Sequence, residues 1–353
     1  MSYCPSKNFT RSTDTDLNFE ECGVIPGDPV RGTLTVGPNG ELYACGQQGN
    51  NFVVARSSNA WNAAETTTWD YATTVSLDGR LGHSDGPNPS GMLGQVWIAT
   101  DHSGGPHHGN VYMLCSVNRT SNDDPLDVML IRSTDGGLSW SDPIRINDDT
   151  DDTAYQWFGT LSVAPTGRID VIWLDTRDHP GTVLSTLYYS YSLDGGVTWS
   201  VNEPLSESFD PHLGFPQQNK MGDYFEMISD EGGAHLAWAA TFNGEQDVFY
   251  SYIPFETVNT QETTNLKADL QQNFPNPFQQ ETTIRYSLQQ RDRVNISIYN
   301  PFGQLVDVLV DEEQPKGDHA VNWDGHSIPA GTYHCEMTVG ESKQVAKKMV
   351  LIK

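Results

Sequence analysis

The chain has 353 residues, with 46 acidic against 20 basic side chains and a formal net charge of −26. Such an acidic surface repels phosphate backbones and anionic lipid, so nucleic acid and anionic membrane are excluded as partners. Lys and Arg number 11 against 34 Asp and Glu up to residue 260, and 9 against 12 beyond it, which places the excess negative charge in the first part. No stretch reaches transmembrane length, and Met1-Ser-Tyr-Cys-Pro-Ser-Lys7 lacks the apolar core of a signal peptide.

At this length two domains are expected. The β-branched, aromatic, Gly and Pro content, without long amphipathic helical patterns, points to an all-β protein. The cysteines, Cys4, Cys22, Cys45, Cys115 and Cys335, include no Cys-x-x-Cys pair, which argues against zinc. Cys4 and Cys22 flank one hairpin and can bridge in an oxidising compartment, while small buried thiols are the other reading for all of them.

In chain order, Asn8 to Ser12 forms a first short strand that runs into Ser12-x-Asp14-x-Asp16-x-x-Phe19. Phe52 to Arg56 runs into a similar turn at Ser57-Ser58-Asn59, with its closing aromatic displaced to Trp69. Both are worn copies of a pattern that follows twice in full. Ser133-x-Asp135-x-Gly137-x-x-Trp140 comes after the alternating run Val128 to Arg132, and Ser192-x-Asp194-x-Gly196-x-x-Trp199 after Thr186 to Tyr191. An Asp folds its carboxylate onto the N–H groups of its own turn, and the adjoining Gly pair supplies the positive φ of a tight hairpin. The Trp then ties the returning strand to a neighbouring sheet. The copies recur about every 60 residues, the scale of a four-stranded propeller blade with generous loops.

A second repeat interleaves with the first. Thr33 to Cys45, Val96 to Leu114, Thr160 to Trp173 and Tyr224 to Trp238 each join two apolar runs through a Pro- or Gly-containing turn. These are expected to be the inner strand pairs of four blades. Arg11, Arg56 and Arg132 stand just before the turn motifs and are expected to be solvated. His102, His107 and His108 fall in one inner-pair turn and are read as turn residues rather than metal ligands.

The Ser-x-Asp-x-Gly-x-x-Trp turns resemble the Asp-box, or BNR repeat, of the sialidase-like β-propellers. The resemblance implies a six-bladed ring in which the Asp-box lies opposite the substrate face and serves architecture. Roughly 17 strands are expected here against about 24 for six blades. The shortfall leads to the expectation of a propeller that is incomplete at its N-terminus, with its missing strands ahead of Met1.

After Phe255 the chain turns polar and Thr-rich, so residues 1–255 are expected to be the partial propeller and 256–267 a linker. Residues 268–353 then show alternating strands between turns: Thr282 to Leu288, Val294 to Tyr299, His319 to Gly325 and Lys347 to Lys353, preceded by Leu270-Gln-Gln-Asn-Phe-Pro-Asn-Pro-Phe278. This is the pattern of a small β-sandwich, expected to be immunoglobulin-like. In order and spacing the segments resemble the type A C-terminal sorting domain of type IX secretion. That resemblance implies export to the medium or outer-membrane surface of a Gram-negative bacterium, with the secretion machinery as partner.

In a propeller the loops from outer to next inner strand and from second to third strand share one face. That face therefore collects Asp28 to Arg31, Asp70 to Gln95, Asn147 to Phe158 and Ser206 to Tyr224, with Asn118 to Asp127, Asp175 to Ser185 and Thr241 to Gln246. Arg31, Arg80, Gln95, Trp157, Arg177 and Asp223 lie on these loops as candidate ligand-binding residues. A sialidase resembling the family requires three arginines around a carboxylate, the function for which a forked, permanently charged donor is suited. It also requires a Tyr nucleophile with a carboxylate base, and an Asp as acid/base. Tyr224 with Glu226 two residues on, and Asp175, are the candidates. The Arg-Ile-Pro motif of the family is absent.

The acidic run Asn147 to Asp152 carries the hard oxygens that Ca2+ takes but lacks the Gly and terminal Glu of an EF-hand loop. A solvated acidic loop is the alternative, and no other cofactor is expected. The expected function is binding of an extracellular glycan or other ligand by an exported propeller. An exo-α-sialidase or related glycoside hydrolase, and a purely structural display module, are the alternatives.

Overall fold

The computed structural model describes residues 8–13, 18–82, 86–213, 220–222, 224–255, 268–276, 278–300, 305–340 and 342–351. The expected linker, Cys4, Asp14, Asp16 and Asp223 lie outside the described residues. The chain divides into two compact units, Met1–Phe255 and Glu256–Lys353.

Among the described residues the first unit carries four antiparallel sheets that follow one another along the chain. The first blade is β1 (Leu34–Val36), β2 (Leu42–Gln48), β3 (Asn51–Ser57) and β4 (Tyr71–Val75), paired in that order. The second contains β5 (Gly79–Leu81), β6 (Trp97–Thr100), β7 (Val111–Arg119), β8 (Asp127–Ser133) and β9 (Ile144–Arg145). The third is β10 (Gln156–Val163), β11 (Ile169–Asp175), β12 (Thr186–Ser192) and β13 (Glu203–Pro204), and the fourth is β14 (Glu226–Ser229), β15 (Gly233–Ala240) and β16 (Asp247–Pro254). β1, β6, β10 and β14 are the inner strands and stand side by side. Gly32 bridges Val96 in parallel, and the Ser229 N–H donates to Ser162 Oγ.

Period-two alternation explains how the blades stack. Along β7, Val111, Met113 and Cys115 pack with Phe52, Val54 and Ile131 on the side of the first blade. Tyr112 and Leu114, between them, pack with Ile169, Val171 and Trp173 of the third. Both faces of the middle strands are thus dry, which is why β7, β8 and β11 read as nearly continuous apolar runs. Each such side chain contributes about 1.5–3 kcal/mol by burial.

The turn motifs join blade to blade. Asp135 Oδ1 accepts the N–H groups of Leu138 and Ser139 at 3.1 and 2.9 Å, and Ser133 Oγ accepts that of Gly137 at 2.8 Å. Asp194 and Ser192 repeat these bonds with Val197, Thr198 and Gly196. The first turn receives the Tyr71 hydroxyl of the preceding blade at the Gly136 carbonyl, and the second receives Arg132 Nη1 at the Gly195 carbonyl, 3.1 Å away. In the same way Arg11 donates to the carbonyls of Ala60 and Asn62 in the first blade. The expectation that Arg11, Arg56 and Arg132 are solvated is corrected here. All are partly buried, because a guanidinium has five donors and the folded turns and neighbouring carboxylates offer the acceptors.

Described residues between 8 and 30 pack against the first blade. Phe9 bridges Gly23, and its ring meets Trp69 edge-on at 5.4 Å. Gly46 lies so close beneath Val30 and Pro29 that a Cβ would fall 2.7 Å from the Val30 backbone. Cys22 is disulfide-bonded, whereas Cys45, Cys115 and Cys335 are free and buried.

The second unit is a two-sheet antiparallel sandwich of β17 (Ala268–Leu270), β18 (Glu281–Leu288), β19 (Asp292–Tyr299), β20 (Leu305–Gln314), β21 (Gly317–Asp324), β22 (Gly331–Val339) and β23 (Ser342–Leu351). One sheet is ordered β17-β18-β21 and the other β20-β19-β22-β23. Ile284, Tyr286, Leu288 and Trp323 of the first sheet close on Ile296, Ile298, Met337 and Met349 of the second. Trp323 sits between Phe278 and Tyr333, with ring centroids 5.6 and 5.2 Å away.

Candidate functional site

The four inner strands line a cavity of about 530 Å³. Its walls are Thr33 to Thr35 of the first blade, Trp97 to Thr100 with His102 of the second, Leu161 to Val163 of the third and Glu226 of the fourth. No residue from the loops of the expected ligand face contributes to it among the described residues.

Those loops instead pack on one another. The segment before β6 reaches from the second blade to the fourth, where buried Asn88 accepts the Met221 N–H at 3.1 Å and donates to the Met92 carbonyl. Leu93 accepts the Phe158 N–H at its carbonyl, 2.8 Å away, and its side chain joins a core with Trp157, Phe158, Met221 and Phe225. Phe158 stands at φ 58° where the register of β10 against β11 shifts, and the bulge turns its ring onto Phe225, 4.8 Å away.

Beside this core lies a network of carboxylates and amides. Arg177 donates to Asp175 Oδ2 at 2.8 Å, to Asp148 Oδ1 at 2.7 Å and to Asn202 Oδ1 at 3.2 Å, and it pairs with Asp149 at 3.4 Å. Asn147 Nδ2 donates to Asp127 and Asp149, and Gln156 Nε2 to Asp149 and Asp175. Arg119 pairs with Asp127 and with Asp78, just ahead of β5. Asp124, alongside, is buried with Oδ2 unpartnered. Its carboxyl is pushed up to about 6 by burial and then by the Asp127 charge.

Each expected site residue can now be placed. Asp175 is 0 % exposed, and its oxygens accept from Trp173 Nε1, Gln156 and Arg177, so no face of it is open to a ligand. Trp157 is likewise 0 % exposed and donates to Ser185 Oγ at 3.0 Å, as a core residue. Arg177 is spent on its three carboxylates. Arg31, at φ 57°, is exposed and donates to Gln47, and Gln95 reaches the Gly32 carbonyl at 3.5 Å. Arg80 is exposed on β5, and its guanidinium makes no hydrogen bond or ion pair among the described residues. Tyr224 is 66 % exposed, and among the described residues no hydrogen bond joins it to Glu226. Burial raises the Glu226 carboxyl above its ordinary range.

The acidic run is not a solvated loop throughout. Asn147 and Asp149 are buried in the network, whereas Asp151 turns back onto Thr153. No group of three or more His, Cys, Asp or Glu is placed to hold a metal among the described residues. His102 Nε2 meets the Val36 carbonyl at 2.8 Å, His107 packs against Gly195, and His108 Nδ1 meets the Ser103 carbonyl.

Sequence reading missed Asn88, Leu93 and Phe158. Asn88 and Leu93 sit in a segment rich in Pro, Gly and Ser that reads as open loop, and the bulge at Phe158 leaves no mark in the residue pattern.

Residues 272–353 match the family described as secretion system C-terminal sorting domain. The chain is thereby marked for type IX export, to the cell surface or the medium. Among curated proteins none matches. Solved structures with similar folds include an α-L-arabinanase of Penicillium chrysogenum complexed with arabinobiose, at 14 % identity and TM-score 0.41, over 93 % of this chain and 95 % of that one. The Hadza microbial sialidase Hz136 aligns at 14 % identity and TM-score 0.39, over 91 % of this chain and 65 % of that one. A protein of unknown function from Dyadobacter fermentans DSM 18053 aligns at 12 % identity and TM-score 0.38, over 87 % and 81 %. These alignments are too distant to carry an argument about function, which has to come from the residues.

Proposed function

We propose that this chain is an exported propeller protein that binds an extracellular glycan without turning it over. The observation that carries this reading is the state of Arg177, whose guanidinium is neutralised by Asp148, Asp149 and Asp175. A bound carboxylate would have to displace one of them in a unit already rich in negative charge. Arg31 and Arg80 remain, and two exposed arginines on separate segments do not form a three-armed clamp. The buried state of Asp175 also supports the reading, since a general acid must reach the leaving oxygen.

The glycoside hydrolase reading keeps one observation in its favour: Tyr224 is exposed and Glu226 follows it by two residues at the start of β14. A fluorogenic sialoside assay, run beside immobilised glycan binding, separates the readings. Binding without hydrolysis is expected. Hydrolysis that disappears in Tyr224→Phe overturns the proposal, and the absence of any glycan binding leaves the display module.

A further inference from the structure

We propose that the inner-strand cavity takes a sugar bearing a free amine, with Glu226 as counter-ion to its ammonium group. This rests on the glycan-binding reading and names the ligand's chemistry.

The argument begins with what the lining can still offer. Thr33 Oγ1 donates to the Val96 carbonyl and accepts the Ile98 N–H, so it is used in joining the first two blades. Thr100 Oγ1 and His102 Nε2 converge on the Val36 carbonyl for the same purpose. Ser162 Oγ accepts the Ser229 N–H and keeps its own proton to donate. Leu34, Ala99 and Val163, which are not buried, supply apolar surface against which the C–H face of a pyranose can lie.

Glu226 is the one carboxylate in this lining, and no Lys or Arg accompanies it. Its carboxylate has the neighbouring Met227 N–H as a hydrogen-bond donor but no ion pair among the described residues. A partly desolvated carboxylate without a counter-charge is stabilised by an incoming cation and destabilised by an incoming anion. The surrounding excess of 34 acidic over 11 basic side chains up to residue 260 acts in the same direction at longer range. A volume of about 530 Å³ accommodates one or two sugar rings.

The test is calorimetric titration of the full chain near pH 6 with a glucosamine trimer, its N-acetylated counterpart, lactose, 3′-sialyllactose and trilysine. The expected result is that the free-amine trimer binds about fivefold to tenfold more tightly than the acetylated one. Glu226→Gln should remove that preference, while Glu231→Gln, the same charge change outside the cavity, should keep it. Equal binding of the two trimers, or a preference that survives Glu226→Gln, overturns the inference. Trilysine binding as tight as the glucosamine trimer overturns the sugar assignment. Binding of lactose or 3′-sialyllactose without the glucosamine trimer defeats this inference and leaves the glycan reading standing, whereas no binding by any saccharide defeats both.

Discussion

Asn88 Oδ1 accepts the backbone N–H of Met221 across 133 residues of chain, and this bond fastens the segment ahead of β6 to the segment ahead of β14. Asn88 is wholly buried, and its amide also satisfies the Met92 carbonyl. Replacing it by Ala takes the acceptor from the buried Met221 N–H, at about 1–3 kcal/mol. Asn88→Ala should therefore lower the unfolding midpoint and raise hydrogen exchange at Leu93 and Phe158 ahead of the blade cores. Unchanged exchange there would show that the apolar contacts of Leu93 suffice.

Arg177 should behave as a structural cation. Arg177→Met leaves Asp148, Asp149 and Asp175 without their shared counter-charge and is expected to cost about 3–5 kcal/mol. Adding Asp175→Asn should recover part of the loss, because it removes one of the carboxylates left behind. Denaturant titration of the single and double variants reads this directly, and a neutral Arg177→Met would refute the role.

Asp124 sets a pH dependence of definite sign. Its folded value, about 6, lies above the ordinary carboxylate range, so the folded state holds the proton more tightly than the unfolded chain. Its contribution to stability is therefore greatest below pH 4 and falls as pH rises through about 6. Asp124→Asn keeps the oxygen that accepts the Leu126 N–H and removes the buried charge. It should stabilise the protein at pH 8 by about 1–2 kcal/mol and make little difference at pH 4. Equal effects at both pH values would assign the change to packing.

Asp135 acts in the opposite sense. Hydrogen bonds from the Ser139 hydroxyl and N–H, then from Ser133 and Leu138, hold its carboxyl down to about 2. Its stabilisation is present above pH 4 and is lost as pH falls through about 2. Because the side chain is exposed, Asp135→Ala is expected to cost only about 1 kcal/mol at neutral pH, chiefly through unpaired turn N–H groups. The parallel variant Asp194→Ala should match it, since it removes the same set of bonds.

Deleting residues 268–353 should abolish arrival at the cell surface or in the medium while leaving the first unit folded. The two units are separately compact, and each has its own core. Fractionation of producing cells checks this, and undiminished export of the truncated chain would remove the sorting role from the second unit.

Local chemistry accounts for what was legible in the residues. Turn motifs and strand alternation depend on neighbours a few positions away. The hairpins around Asp135 and Asp194, the inner strand pairs and the two-sheet second unit were therefore readable without coordinates. The nearly continuous apolar runs of β7 and β11 reflect burial of both faces, because both sets of side chains meet a neighbouring blade.

The candidate site was less legible, and particular residues show why. Trp157 and Asp175 were expected on loops of the ligand face, yet they stand in β10 and β11, where Ser185, Gln156 and Arg177 enclose them through contacts set by the third blade's register. Arg132 sits one residue before its own turn, but its acceptor is Gly195, 63 positions on. No spacing rule within a strand reports such a partner.

By itself the sequence determined an all-β chain with repeated blade turns and a small C-terminal sandwich, because those follow from short-range periodicity and turn chemistry, while the export role of that sandwich rested on its resemblance to a sorting domain. Only the tertiary structure decided which charged groups remain available. Burial and pairing belong to the folded surroundings of a side chain, so Arg177 and Asp175 are consumed in holding blades together while Glu226 is left lining the cavity without a counter-charge among the described residues.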